Sequence, residues 1–168
     1  MPSLKTPLFK LKMMKKNTLF LLIAAFFVTQ NSVAQMGSAK QVTLSYSSKK
    51  LADKRYEVSI TANINGNFHL YAQDAGADGP IPTKFTYNAN PLLKLEGKTK
   101  ELGKKITKVE EVWGGKVNFY EKTVTFTQVV VAKSKAKTSL NGKIEFMVCN
   151  DEVCLPPAEV SFKIAIGG

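Results

Sequence analysis

The chain has 168 residues, 24 lysines and arginines against 13 acidic residues, and a formal net charge of +11 at pH 7. Five of these lysines and no acidic residue lie in residues 1–34, so without that segment the net charge falls to +6. The remaining lysines are scattered rather than gathered into a stripe with aromatics, which argues against nucleic-acid binding. Two cysteines and one histidine are too few for a four-ligand zinc site, so we expect no metal.

Residues 1–34 have the pattern of a secretory signal peptide. The segment begins with a basic region that contains Lys10, Lys12, Lys15 and Lys16. An apolar core at residues 19–28 follows, and Ser32-Val33-Ala34 forms a small-x-small cleavage site. We expect cleavage after Ala34 and export of a mature domain of residues 35–168. The apolar core of about ten residues is short of the roughly twenty that span a bilayer, so we expect no stable membrane insertion after cleavage.

The mature part of the chain has the pattern of many short strands. Apolar and polar residues alternate at residues 42–46 and 56–64, and Asn65-Gly66 predicts a turn. Further strands are predicted at residues 68–71, 83–87, 92–96, 106–110, 123–132, 143–149 and 160–166. The turn signals between them are residues 76–82, residues 88–91 and Asn141-Gly142. Because no stretch of ten residues keeps a helical period, the sequence predicts one all-β domain, a β-sandwich.

Both cysteines lie within residues 146–157, four residues apart. In a hairpin with a four-residue loop, Cys149 and Cys154 face each other with Cα atoms roughly 4.5–5.5 Å apart, within disulfide range. Such a bridge closes a loop of about six residues and stabilises the fold by only about 2 kcal/mol, so stabilisation alone is a weak reason for it. Its position therefore favours a dithiol/disulfide redox site, and an inert hairpin disulfide is the alternative.

The motif Cys149-x4-Cys154-Leu155-Pro156-Pro157 resembles the end of the N-terminal periplasmic domain of the thiol:disulfide interchange protein DsbD. The resemblance extends to residues 111–116, to Tyr120 and more faintly to residues 68–71, and it covers residues 42–166. It implies an immunoglobulin-like β-sandwich in the periplasm. The cysteine-Pro-Pro element is the specific part of the likeness.

The resemblance also implies roles for individual residues. Cys154 is expected to enter the mixed disulfide with a partner, and Cys149 to resolve it. The cap loop and active-site lining are expected to consist of Glu111, Val112, Trp113, Gly114, Gly115, Tyr71 and His69. Trp113 stands where the family commonly has the phenylalanine that shields the disulfide. The loop between the cysteines holds no cation to lower a thiol pKa, and Asp151 and Glu152 act to raise it, so we expect reactivity to be supplied within a partner complex.

The implied function is thiol–disulfide exchange between a membrane-embedded thiol electron carrier and thioredoxin-like periplasmic proteins, for disulfide correction or cytochrome c maturation. The cysteines carry the electrons, so no cofactor is needed, and we expect a monomer. One alternative is an exported adhesion or assembly sandwich whose disulfide is structural. Another is a carbohydrate- or ligand-binding sandwich that uses Trp113 and Tyr71 as exposed aromatics.

Overall fold

Short apolar runs, broken at glycine, asparagine and proline, form eleven β-strands within residues 37–167, which are the residues that the computed structural model describes. The strands are β1 (Val42–Ala52), β2 (Arg55–Ile64), β3 (His69–Gly76), β4 (Lys84–Tyr87), β5 (Leu93–Leu102), β6 (Ile106–Glu110), β7 (Gly115–Glu121), β8 (Thr123–Ala132), β9 (Thr138–Phe146), β10 (Val148–Cys149) and β11 (Ala158–Ile166). Two single-turn 3₁₀ helices lie at Ser38–Gln41 and Glu111–Trp113. The predicted signal peptide lies outside the described residues.

The strands form three antiparallel sheets. Sheet 1 has the order β1-β2-β8-β5, sheet 2 the order β10-β3-β7-β6, and sheet 3 the order β11-β9-β4. The main core lies between sheet 1 and the inner faces of sheets 2 and 3, and it includes Phe126, Leu70 and Ile144. The predicted all-β sandwich is confirmed. Within residues 37–167 no helix is long and apolar enough to cross a membrane.

In sheet 2, strand β10 and the first half of β3 are buried on both faces, and this determines where Cys149 lies. Along β3 the side chains alternate, so Leu70 and Ala72 join the main core while Tyr71 points to the opposite face. On that opposite face a second apolar cluster forms, which we call the outer cluster. Its buried members are Tyr71, Ala75, Val117, Phe119, Met147 and Cys149.

Two local predictions are wrong. Asn141-Gly142 is not a turn but lies inside β9, where Gly142 is buried. A side chain at Gly142 would have its Cβ 2.6 Å from the ring of Phe162 and closer still to the Thr86 carbonyl oxygen, so the glycine permits a close approach of strands. The pattern of apolar and polar residues also failed to predict β7. Its neighbouring residues Phe119 and Tyr120 are both buried, because they face opposite sides of sheet 2.

Candidate functional site

The two cysteines form a disulfide at the edge of sheet 2. Cys149 ends β10, and Cys154 pairs with it as an isolated antiparallel bridge with a Cα–Cα distance of 4.0 Å. The loop between them is closed by Asn150, whose side-chain oxygen accepts hydrogen bonds from the backbone N–H groups of Glu152 (3.0 Å) and Val153 (2.8 Å). This is the Asx turn that an asparagine after a strand favours.

The two halves of the disulfide differ in exposure. Cys149 is 2% exposed and packs in the outer cluster, whereas Cys154 is exposed to solvent. The neighbouring Val153 is 46% exposed. A sulfur that approaches from solvent therefore meets Cys154 first.

The N-terminal end of the described chain fastens the cysteine segment in place. Ser38 is fully buried, and its hydroxyl donates to the Pro156 carbonyl oxygen (2.8 Å) and accepts from the Val148 N–H (3.1 Å). Gly37 passes so close to Pro156 that a Cβ there would lie 2.8 Å from the proline ring. Sequence reasoning did not find Ser38, because nothing local links it to a motif more than a hundred residues away.

The predicted cap loop is the connection between β6 and β7. Its 3₁₀ turn ends at Gly114, which has a φ of 65° and donates its N–H to the Glu111 carbonyl oxygen (3.0 Å). Gly115 opens β7 opposite Glu110. Gly114 therefore makes the tight left-handed turn into the strand that Gly115 opens, and neither glycine lines the cavity described below.

Trp113 lies against the outer cluster rather than free in solvent. Its indole Nε1 donates to the Tyr71 hydroxyl (2.9 Å), and the two rings meet edge to face with centroids 6.4 Å apart. The other side of the indole meets Gly79 so closely that a Cβ there would overlap the ring. In this loop the exposed apolar side chain is Val112, at 76% exposure, and Glu111 is also exposed.

An open cavity of about 250 Å³ joins the cysteines to the cap loop. Among the predicted site residues it is lined by His69, Tyr71, Glu111, Val112, Trp113, Cys149 and Cys154. Five residues not predicted as site residues complete the lining: Lys108, Val109, Glu110, Asn150 and Asp151. Residues that are distant in sequence thus meet at one place.

The carboxylate nearest the buried tyrosine belongs to Glu110, not to Glu111. Tyr71 is fully buried, and its hydroxyl lies 3.5 Å from Glu110 Oε2. Burial raises the pKa of Tyr71 to about 12, although the hydrogen bond from Trp113 acts to lower it. The hydroxyl therefore stays protonated at neutral pH. The sequence did offer a signal for Glu110. In the predicted strand 106–110, alternation places Ile106, Lys108 and Glu110 on one face.

His69 lies in the wall of this cavity with only 8% of its surface exposed. Its ring packs on Phe119 with centroids 4.3 Å apart and meets Tyr71 edge to face at 5.2 Å. Burial lowers the pKa of His69, although Glu110 and Glu121 act to raise it. The imidazole is therefore neutral at pH 7.

Comparison with known proteins identifies the family. The sequence profile described as "Thiol:disulfide interchange protein DsbD, N-terminal" matches residues 36–166. The chain belongs to the DsbD N-terminal domain family. No curated protein sequence matches it.

Solved structures agree with this assignment. The reduced DsbD N-terminal domain of Neisseria meningitidis superposes with a TM-score of 0.54 at 16% identity, over 82% of this chain and 94% of that one. A DsbD N-terminal domain in complex with the PilB N-terminal domain, from the same organism, superposes with a TM-score of 0.50 at 16% identity, over 74% of this chain and 83% of that one. The immunoglobulin-like β-sandwich predicted from the DsbD resemblance is confirmed. Family and disulfide together indicate thiol:disulfide interchange.

Within residues 37–167, no group of three or more histidine, cysteine or acidic side chains is placed to hold a metal ion. Polar groups that can take part in chemistry surround the sulfur atoms of the site. These groups are the imidazole of His69, the hydroxyl of Tyr71 and the carboxylates of Glu110 and Asp151.

Proposed function

We propose that this protein is an exported module that passes reducing equivalents by thiol–disulfide exchange through Cys149 and Cys154. The observation that carries the proposal is the unequal exposure of the two cysteines within a family of interchange domains. Exchange needs one accessible sulfur and a second sulfur that is kept from unwanted partners. Exposed Cys154 suits the first role, and buried Cys149 suits the second.

The reaction starts from the dithiol. The Cys154 thiolate attacks a disulfide of the client, so a Cys154–client bond forms and one client sulfur leaves as a thiolate. Cys149 then attacks Cys154, the Cys149–Cys154 disulfide forms, and the second client sulfur leaves. Two electrons have passed to the client, and an electron carrier with a dithiol restores the module.

The proposed partners are a membrane-embedded thiol carrier on the reducing side and thioredoxin-like periplasmic proteins on the client side, the latter in disulfide correction or cytochrome c maturation. The solved complex of a related DsbD N-terminal domain with the PilB N-terminal domain supports a folded protein as partner. The exposed side chains of Val112 and Val153 offer apolar contact area beside Cys154.

The cap-loop and lining roles are also part of the proposal. Glu111, Val112 and Trp113 form the loop beside the disulfide that a partner would contact as it docks on Cys154, and Gly114 and Gly115 set its turn. Tyr71 holds Trp113 by its hydroxyl group. Burial of Tyr71 supports exchange over sugar binding, because a sugar site needs exposed rings.

The processing and location of the chain are proposed with the function. We propose a signal peptide of residues 1–34, cleavage after Ala34, and a periplasmic, monomeric domain of residues 35–168. Periplasmic location is supported by the family, whose members are periplasmic domains. Export of the full chain from a bacterial host, followed by N-terminal sequencing and size-exclusion chromatography, tests each of these points.

The proposal is tested by trapping. Reduced Cys149→Ser protein is mixed with an oxidised thioredoxin-like domain, and we expect a covalent complex through Cys154 on a non-reducing gel. The matched Cys154→Ser variant should give at most about a tenth of that complex, because its remaining cysteine is buried. Equal trapping by the two variants, or none by either, contradicts the proposal.

A further inference from the structure

His69 lies directly across the sheet from the buried cysteine. In the antiparallel pairing of β3 with β10, the Cα partner of Cys149 is His69. Directly opposed residues share a face and have Cβ atoms about 4.5–5.5 Å apart. Both residues line the same cavity, so their side chains face the same space.

One nitrogen of that imidazole is without a partner. Among residues 37–167, His69 Nε2 is the one buried side-chain nitrogen or oxygen that makes no hydrogen bond. Buried polar groups in native proteins are nearly always paired, so an exception calls for a reason in function. The residue directly opposite His69 across the sheet is Cys149.

The chemistry of the resolving step supplies the reason. Only a thiolate attacks a disulfide, so Cys149 must lose its proton before it resolves the mixed disulfide. Cys149 is 2% exposed and packed among apolar side chains, and such burial disfavours the thiolate. A neutral imidazole on the same face is a suitable base.

Resting on the proposed function, we propose that His69 is the proton acceptor for Cys149 in the resolving step. The thiol proton of Cys149 passes to the imidazole, and the Cys149 sulfur attacks Cys154. The Cys149–Cys154 bond forms, the Cys154–client bond breaks, and the electron pair leaves on the client sulfur. In the reverse direction His69 returns the proton to Cys149 as that sulfur leaves.

Burial is the largest influence on His69 and disfavours its charged form, but the carboxylates around it favour that form. Glu110 and Lys108 reach it from β6, Glu121 from β7 and Asp151 from the loop after β10, so three carboxylates face it against one ammonium group. His69 also lines a second cavity, of about 340 Å³, together with all four of these charged groups and Lys122. We expect the proton taken from Cys149 to leave His69 on that side.

The experiment separates the two chemical steps. Reduced protein is mixed with the aromatic disulfide 5,5′-dithiobis(2-nitrobenzoate), and the coloured thiol is followed by stopped-flow absorbance. The first thiol is released when Cys154 attacks, and the second when Cys149 resolves the adduct. Cys149→Ser, which should show the first phase alone, is the control that assigns the phases.

We expect His69→Phe to slow the second phase at pH 7 by about tenfold or more and to leave the first phase nearly unchanged. Phenylalanine keeps the packing on Phe119 but cannot accept a proton. The difference should shrink at high pH, where Cys149 ionises without help. Equal second-phase rates at every pH overturn the role of His69.

Two charge variants make the test independent of any change at His69 itself. Glu121→Gln should move the midpoint of the second-phase pH profile to lower pH, since it removes a carboxylate that favours the imidazolium. Lys108→Gln should move it to higher pH. Midpoints that do not move in opposite directions contradict the proposal, whether or not His69→Phe folds. A wild-type protein with no second phase overturns the proposed function, and the role of His69 falls with it.

Discussion

Reactivity at the residue scale depends on how the fold divides one disulfide between two environments. Cys149 lies in the outer cluster, and Cys154 lies five residues later, at the end of a solvent-exposed turn. The division follows from the alternation of β10 and β3, which buries Cys149, and from the Asn150 turn, which carries Cys154 outward. The same bond is thus open to attack at one end and shielded at the other.

This asymmetry predicts unequal alkylation of the reduced protein. At pH 7 iodoacetamide should modify Cys154 at least about ten times faster than Cys149, because the buried thiol is inaccessible and harder to ionise. Peptide mapping by mass spectrometry at successive times measures both rates in one sample. Comparable rates contradict the burial-based assignment of roles.

Sequence reasoning reached most of these residues because their chemistry is local. The cysteine spacing and the turn residue Asn150 indicate a hairpin bridge, and the family resemblance adds Tyr71 and His69. Ser38 was missed because its partners lie more than a hundred residues along the chain, and Glu110 was missed although the alternation of its strand offered a signal. The direct opposition of His69 and Cys149 depends on strand register, which no single segment encodes.

At the scale of elements, the cap loop is held by packing on both sides of one indole. Trp113 is fixed by its hydrogen bond to Tyr71 and by close contact with Gly79 in the loop after β3. The exposed side chain of Val112 is left at the tip. Movement of this loop therefore requires that the indole leave Tyr71 and Gly79.

Gly79→Ala should displace the cap loop. An added Cβ overlaps the Trp113 ring, and a φ of 142° disfavours any side chain, so we expect a loss of roughly 1–3 kcal/mol in unfolding free energy. Trp113 is the single tryptophan, so its fluorescence and near-UV dichroism report the displacement directly.

Gly97→Ala is the matched control for this change. Gly97 also has a positive φ, of 72°, but a Cβ there meets open space. This variant should lose about 1–2 kcal/mol from backbone strain and keep the native tryptophan signal. The same tryptophan spectrum in Gly79→Ala as in wild type is the result that would count against a fixed indole.

Element-scale predictions failed where neighbours outweigh local pattern. Asn-Gly is a strong turn signal, yet Gly142 lies in mid-strand because the Thr86 carbonyl group and the Phe162 ring occupy the space of a side chain. The sequence of strand β7 shows no clear alternation of apolar and polar residues, because the strand has buried residues on both of its faces. Strands β2 and β11 alternate between buried and more exposed residues, and they were predicted to within two residues at each end.

At the scale of the whole molecule, Glu101 ties three strands of two different sheets together. Its carboxylate, on β5, accepts hydrogen bonds from the Gln73 N–H (2.7 Å) on β3 and the Tyr120 hydroxyl (2.9 Å) on β7. Lys105 lies 3.0 Å away. Burial acts to raise the pKa of Glu101, but the hydrogen bonds outweigh burial and lower it.

This network predicts a loss of stability in acid. Because the folded pKa of Glu101 lies below the unfolded one, its contribution is present above the unfolded pKa and is lost as pH falls through the folded pKa. Glu101→Gln should lower the unfolding free energy by roughly 1–3 kcal/mol at pH 7, and by less at pH 3. Urea denaturation at both pH values measures the two differences.

Glu96→Gln is the control for the Glu101 prediction. Glu96 pairs with Arg55 on the surface, where both side chains are almost half exposed. Its replacement should cost less than about 1 kcal/mol at pH 7. Equal costs for the two variants, or a Glu101→Gln cost that does not fall in acid, contradict the network.

The equilibrium reduction potential of the Cys149–Cys154 pair in the domain of residues 35–168 tests the central claim most directly. It is measured by mass-spectrometric counting of thiols across a glutathione or dithiothreitol series. Exchange predicts a value above about −300 mV, in the range of thioredoxin-like carriers, because such a pair must be both reduced and reoxidised. A value well below about −300 mV would mean a permanent structural bridge and would contradict the proposed function.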